Sequence, residues 1–226
     1  MAFYTKNMEN TGKSSVIRTF GRIRGKKLST RQQWLVDNLL PELAPEQAPG
    51  TNANTILEIG FGAGEHLLHL ARENPDSLII GAEPFINGVA SLLSQMADEK
   101  NEVKPEYKNI RILPDDARKL LTANIRPFNK IYILHPDPWP KARHEKRRLL
   151  STEFLNLLAG YLAPNGQIII GTDHGDLFNW ILEQDSKTRL KTTTYDSPPE
   201  AGLDTRYKAK DMFGAGHTRY LVLTLP

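Results

Sequence analysis

The stretch that decides the fold is LEIGFGAGE, residues 57–65. It starts inside TILEIG, a short run of apolar and β-branched residues that predicts a buried strand. It then places Gly60, Gly62 and Gly64 before EHLLHLAREN, whose apolar residues fall on one helical face. Glycine allows a sharp turn and a close approach to a ligand. A strand, a glycine turn and a helix in this order predict the first unit of an open α/β sheet with a binding site at the turn.

The same alternation continues along the chain. SLIIGAE, NIRIL, KIYIL and QIIIGT have the character of strands, and helical patterns separate them. This order predicts an α/β, Rossmann-like fold with a mostly parallel sheet and helices on both faces. LKTTTYD and TRYLVLTL near the end are β-rich with no clear helix between them. They predict an antiparallel C-terminal edge, which makes a seven-stranded sheet.

Local signals set the expected boundaries of the helices. Residues 28–43 predict a helix that opens near Ser29, and STEFLNLLAGYLAPNG predicts a helix that stops at residues 164–166. The basic residues after Pro140 predict the start of a further helix. We interpret residues 1–30 as a flexible basic arm and residues 31–226 as a single domain.

Composition narrows the function classes. The 226 residues are 39% hydrophobic, which is enough for a globular core, and they include no cysteine. Disulfides, thiolate metal sites and cysteine nucleophiles are therefore excluded, and no metal is expected. The N-terminal residues lack the apolar core of a signal peptide, and no apolar run has the length of a membrane span. We expect a soluble, cytoplasmic protein with no membrane contact.

Acidic residues follow four successive predicted strands: Glu58, Glu83, Asp116 and Asp137. Asp115 is an alternative to Asp116. The carboxyl ends of parallel strands meet at one edge of a sheet, where open α/β folds bind ligands. Glu83 stands about 20 residues after the glycine turn, where such folds bind a ribose diol. The sequence therefore predicts a nucleoside-type ligand held by carboxylates.

The spacing of the turn selects among such ligands. The pattern is E-x-G-x-G-x-G, which differs from the G-x-G-x-x-G of dinucleotide folds. Glu58 would repel a phosphate, whereas it suits a cationic ligand. S-adenosylmethionine combines a cation, a ribose diol and an adenine amine, and it has no phosphate. It is the cofactor that the residues predict.

A second stretch, HPDPWPKARHEKRR at residues 135–148, follows the fourth predicted strand. Pro136 and Pro138 restrict the backbone around Asp137. Trp139 either stacks on a base or packs under the loop. The basic residues that follow predict contacts with nucleic-acid phosphates. These residues are Arg143, His144, Lys146, Arg147 and Arg148.

LEIGFGAGE, PDPWPKARHEKRR, GTDH and TRYKAK, in this order, resemble the bacterial tRNA (guanine-N7-)-methyltransferase family. The resemblance implies a class I methyltransferase fold and methyl transfer from S-adenosylmethionine to guanine N7 in the variable loop of tRNA. It implies that Glu58, Glu83, Asp116 and Asp137 bind the cofactor together with the glycine turn, and that Asp137 also acts on the target base. It implies substrate binding by Lys141, Asp173, Thr205, Arg206, Tyr207 and Lys208.

One residue departs from the pattern of the family. The family reads T-K-[FY]-E where this chain reads TRYK, so Lys208 replaces a carboxylate that would accept hydrogen bonds from guanine. Asp173 and Asp204 are the alternative acceptors. Three other functions stay open from the residues alone: an NAD-dependent oxidoreductase, a non-catalytic RNA-binding module and an amine-directed methyltransferase. The expected partner is tRNA, with no obligate protein partner, and the chain is either a monomer or a homodimer.

Overall fold

The computed structural model describes residues 19–47, 54–121, 127–203 and 217–226. Within these ranges one sheet has the strand order β3-β2-β1-β4-β5-β7-β6. β1 to β5 are parallel, and β7 runs antiparallel to both β5 and β6. This architecture confirms the predicted fold class. The strands are β1 (Thr55–Ile59), β2 (Leu78–Ala82), β3 (Ile110–Leu113), β4 (Phe128–Leu134), β5 (Leu162–Thr172), β6 (Lys191–Tyr195) and β7 (Arg219–Thr224).

The helices in the described ranges pack on both faces of this sheet. α1 to α3 contribute to one apolar layer, and α4 and α5 contribute to the other. Neighbouring residues of β1 divide between the layers, because Ile56 faces the first and Leu57 the second. The helices are α1 (Thr30–Asn38), α2 (Glu65–Glu73), α3 (Ile86–Met96), α4 (Thr152–Ala159) and α5 (Gly175–Asp185).

The first helix starts where the sequence predicts but ends earlier. The Ser29 hydroxyl accepts from the Gln32 amide at 3.2 Å, and the Gln32 side chain accepts from the Ser29 amide at 3.1 Å. This reciprocal capping fixes the start of α1. The predicted continuation to residue 43 is wrong, because Leu40–Leu43 forms a 3₁₀ turn. Pro41 has no N–H to donate to the α-helical ladder.

Two other helix predictions are wrong. α4 ends at Ala159, and β5 begins at Leu162, which pairs with Phe128. The register then shifts, so that Lys130 pairs with Gln167 and the intervening residues form an irregularity. The basic residues form a 3₁₀ turn, Ala142–Arg147, and not an α-helix. None of its residues is buried, so no apolar face supports a longer helix.

Residues 19–29 belong to the predicted arm, and they lie against the rest of the domain. The Ile86 amide donates to the Ile23 carbonyl at 3.1 Å. The Asn87 side chain accepts from the Gly25 amide at 2.7 Å and donates to the Lys26 carbonyl at 2.6 Å. The first 18 residues lie outside the described ranges. Within those ranges, none of the helices combines the length and apolar character that crossing a bilayer requires.

Candidate active site

The glycine turn follows β1, and its three glycines have positive φ values, which glycine adopts more readily than other residues. Gly60, Gly62 and Gly64 have φ values of 77°, 58° and 89°. A Cβ atom built on Gly60 or Gly62 would meet no protein atom within 4 Å, and both residues line a cleft. A Cβ atom on Gly64 would lie 2.5 Å from Cδ1 of Leu92 in α3. The first two glycines therefore leave room for a ligand, and the third allows α2 to pack against α3.

The cleft lies at the carboxyl ends of the parallel strands and has a volume of about 890 Å³. Its walls include the glycine turn, part of the N-terminal segment, the basic stretch and one side of α4 and α5. Three of the predicted acids line it: Glu83, Asp116 and Asp137. Among the described residues, no group of three or more His, Cys, Asp or Glu side chains is arranged to hold a metal ion.

Glu83 is buried in the wall of the cleft after β2. Its Oε2 accepts from the Gly62 amide at 2.8 Å, and its Oε1 accepts from the Phe85 amide at 2.8 Å. Burial raises the pKa of Glu83, and the two amide hydrogen bonds oppose part of this rise. The amides hold the carboxyl group beside the glycine turn, and its binding of ribose hydroxyls stays a prediction.

Asp116 lies on the cleft wall after β3, whereas Asp115 is not among the described residues that line the cleft. Asp115 pairs instead with Lys119 at 2.5 Å. Asp116 accepts from Arg118 Nε at 2.8 Å and from the hydroxyl of Thr19 at 2.7 Å. Burial opposes ionisation of Asp116, but the hydrogen bonds from Arg118 and Thr19 outweigh it and lower its pKa. Of the two alternative acids, the structure brings Asp116 to the cleft.

Glu58 has a different environment from the other three acids. It is 3% exposed, and its Oε2 lies 3.3 Å from Nδ1 of His66 in α2. It does not belong to the described residues that line the cleft, and neither does Gly64. Glu58 therefore lies against α2, on the same face of β1 as Ile56. A direct role of Glu58 in binding the cofactor stays a prediction.

Asp137 lies in a strained loop after β4. His135 and Trp139 bracket it with φ values of 49° and 40°, a region that non-glycine residues rarely adopt. Asp137 is exposed at the cleft, yet desolvation by the cleft walls raises its pKa. The backbone of Gly21 passes close by, because a Cβ atom built there would lie 3.8 Å from Asp137 Oδ2. The carboxyl group thus lies at the mouth of the cleft, near the N-terminal segment.

Asp173 follows β5, the next strand of the sheet after β4. Its Oδ1 lies 3.6 Å from Nδ1 of His135. Burial lowers the pKa of His135, and the nearby Asp173 opposes this shift. The His135 amide also donates to the Gly171 carbonyl at 2.7 Å. The structure thus brings Asp173 next to the Asp137 loop, outside the described lining of the cleft.

The basic stretch contains two kinds of cation. Lys141, Arg143 and Lys146 are exposed, whereas Arg147 and Arg148 are partly buried. The Arg147 guanidinium lies 5.0 Å from the ring centroid of Trp139 and 5.7 Å from that of Phe20. The exposed group is open to solvent, and its contact with nucleic-acid phosphates stays a prediction. The partly buried pair contacts aromatic rings of the domain.

Trp139 is half-buried and lines the cleft. Its ring contacts Arg147 and also meets His144 edge to face at a centroid distance of 5.7 Å. The sequence left open whether this ring stacks on a base or packs under the loop, and both interpretations stay predictions. Thr205, Arg206, Tyr207 and Lys208, together with Asp204, lie outside the described residues.

Sequence reasoning missed the part that the N-terminal segment contributes to the cleft. Thr19 bonds to Asp116, Phe20 contacts Arg147, and Arg22 lies 5.9 Å from the ring centroid of Phe85. The signal in the sequence was only a run of basic residues. Nothing in its spacing shows which strand ends it meets.

Comparison with known proteins shows the family to which the chain belongs. A family model described as "Putative methyltransferase" matches residues 52–212. Curated relatives named tRNA (guanine-N(7)-)-methyltransferase include one from Erythrobacter litoralis, which is 38% identical and covers 88% of this chain and 90% of the relative. Another, from Caulobacter vibrioides, is 37% identical over 87% and 90% of the two chains. The chain belongs to the tRNA (guanine-N(7)-)-methyltransferase family.

Solved structures of other methyltransferases have a similar fold. The 16S rRNA methyltransferase KamB superposes with a TM-score of 0.58 at 18% identity, covering 80% of this chain and 92% of KamB. An rRNA methylase from Streptococcus thermophilus has a TM-score of 0.51 at 12% identity, covering 88% and 100%. At such low identity these structures establish the fold alone, which is that of class I methyltransferases.

Proposed function

We propose that this chain transfers a methyl group from S-adenosylmethionine to N7 of a guanine in the variable loop of tRNA, and that it does so in the cytoplasm. The observation that carries the proposal is the convergence of Glu83, Asp116 and Asp137 on one cleft below an open glycine turn. The names of the relatives support the choice of nucleoside and RNA.

The residues present fit the proposed cofactor. Gly60 and Gly62 leave open space where a side chain would otherwise intrude. Glu83 offers a carboxyl group fixed by two backbone amides, which suits the hydroxyls of a ribose. Asp116 offers a carboxylate to the amine of an adenine. Glu58 lies beside His66, on the helix that follows the turn.

When bound, S-adenosylmethionine supplies an electrophilic methyl group on a positively charged sulfur. Guanine N7 carries a lone pair and no proton, so the chain has no proton to remove. Its contribution is then positioning together with electrostatic stabilisation. Asp137 stabilises the positive charge that develops on the base. The adjacent prolines and the contacts of Trp139 hold the loop in which it lies.

The RNA is held mainly through its backbone. Lys141, Arg143 and Lys146 are exposed beside the cleft, where they neutralise phosphates. Phosphate contacts position a substrate without reading its sequence, so the shape of the folded RNA selects the target. Asp173, next to the Asp137 loop, is a candidate acceptor for a hydrogen bond from the guanine.

The test is to incubate the purified chain with methyl-labelled S-adenosylmethionine and an unmodified tRNA transcript, followed by digestion and mass spectrometry. We expect the label in 7-methylguanosine. A matched transcript in which 7-deazaguanosine replaces guanosine has carbon at position 7 and no lone pair there, so we expect it to accept no methyl group. Label in a different nucleoside, or equal transfer to the 7-deaza transcript, contradicts the proposal.

A further inference from the structure

The loop that carries Asp137 depends on contacts with its surroundings. Pro136 and Pro138 have no N–H to donate. His135 and Trp139 both adopt positive φ values, which cost about 1–3 kcal/mol each in a non-glycine residue. Such a conformation persists only where surrounding contacts determine it. Groups outside the loop must therefore fix the position of Asp137.

Arg148 supplies one of these contacts at the residue next to Asp137. Its Nε donates to the Pro138 carbonyl at 3.0 Å. Its guanidinium carbon lies 5.1 Å from the ring centroid of Trp180, which is 9% exposed in α5. The arginine thus spans from the loop to a buried aromatic platform on a helix. Among the described residues, no carboxylate forms an ion pair with Arg148.

We propose that Arg148 is a positioning residue for methyl transfer, which holds Asp137 through the Pro138 carbonyl and is not a phosphate contact of the RNA. This inference rests on the proposed function. It divides the basic stretch by task, since Arg143 is exposed and faces the RNA while Arg148 faces the loop.

The geometry uses properties that lysine lacks. Arginine combines a planar group that stacks on an aromatic face with an Nε–H aimed sideways at an acceptor. Lysine keeps the positive charge but has neither the planar face nor that fixed donor. A phosphate contact tolerates this exchange better than a stacked, directional contact does. Arg148→Lys therefore separates the two roles without changing the net charge.

The experiment compares steady-state kinetics of the full chain, R148K and the matched variant R143K on unmodified tRNA. We expect R148K to lower kcat by about 100-fold, because a displacement of about 1 Å at a reacting group has an effect of that size. We expect its KM for tRNA to stay at the wild-type value. R143K should affect turnover much less than R148K does, because a phosphate contact tolerates the exchange, and any effect should fall on the KM for tRNA. An R148K variant with wild-type kcat, or with a raised KM alone, overturns the inference.

A second pair of variants tests the platform without altering Arg148. W180L removes the aromatic face and should reduce kcat as R148K does, whereas W180F retains a ring and should recover most of kcat. Equal kcat values for W180L and W180F overturn the inference. If the wild-type chain forms no 7-methylguanosine, the proposed function fails instead, so the two failures are distinguishable.

Discussion

Single alanine replacements at Gly60 and Gly64 should separate the two tasks of the glycine turn. Both residues have left-handed φ values, +77° and +89°, so a Cβ atom costs about 1–2 kcal/mol in either case. At Gly60 the new methyl group meets no protein atom within 4 Å and projects toward the cleft. At Gly64 it meets Cδ1 of Leu92 at 2.5 Å and Cβ of Leu92 at 3.0 Å.

The collision adds an overpacking cost of about 1–3 kcal/mol to G64A. We therefore expect a loss of unfolding free energy of about 1–2 kcal/mol for G60A and about 2–5 kcal/mol for G64A. Cofactor affinity should follow the opposite order. The methyl group of G60A occupies space that the ligand needs, and a penalty of about 1.4 kcal/mol already weakens binding tenfold.

Urea unfolding followed by circular dichroism measures the free energy of unfolding, and calorimetric titration with S-adenosylmethionine measures cofactor affinity. G62A is a matched control, because its φ is also positive and its Cβ atom also meets open space. It should resemble G60A in both measurements. Wild-type cofactor affinity in G60A would refute the assignment of the turn to the cofactor. A G64A variant as stable as G60A would refute the packing role of Gly64.

Three further predictions follow from the site. Methyl transfer needs the ionised form of Asp137, and the pKa of Asp137 is raised, so transfer should be lost as pH falls through a pKa above that of an ordinary aspartate. A single-turnover pH profile whose acid limb lies at the pKa of an ordinary aspartate contradicts this. Arg143→Ala should reduce the slope of log affinity for tRNA against log salt by about one, as measured by filter binding, and an unchanged slope refutes the phosphate contact. Glu200→Gln removes the carboxylate that accepts hydrogen bonds from Tyr132 and Lys130, so we expect the free energy of unfolding in urea to fall by about 1 kcal/mol. A variant as stable as wild type would contradict this.

Local patterns predicted the parts of the fold that local physics determines. The β1 run, the glycine turn and α2 follow from apolar periodicity and from glycine at positive φ. The end of α4 does not, because Pro164 and Gly166 look like helix stops, whereas Leu162 already pairs with Phe128 in β5. That pairing is non-local, and no spacing within the segment indicates it.

The candidate site shows the same division. Period-two alternation in β1 places Glu58 on the same face as Ile56, so the sequence held the signal that Glu58 points toward α2. The sequence held no signal that Arg148 contacts the Asp137 loop whereas Arg143 is exposed. That distinction depends on the position of Trp180, about 30 residues further along the chain, and only folding brings the two together.

The most direct test of the central claim, that the carboxylate after β4 serves methyl transfer in this cleft, is the single-turnover transfer rate of Asp137→Asn. The amide keeps the shape of the side chain and removes its charge. Asp76→Asn is the matched control, because Asp76 is exposed before β2 at the opposite edge of the sheet. We expect Asp137→Asn to slow transfer to guanine N7 by about 100-fold or more, with tRNA affinity retained and the control at the wild-type rate. Transfer by Asp137→Asn at the wild-type rate would contradict the account.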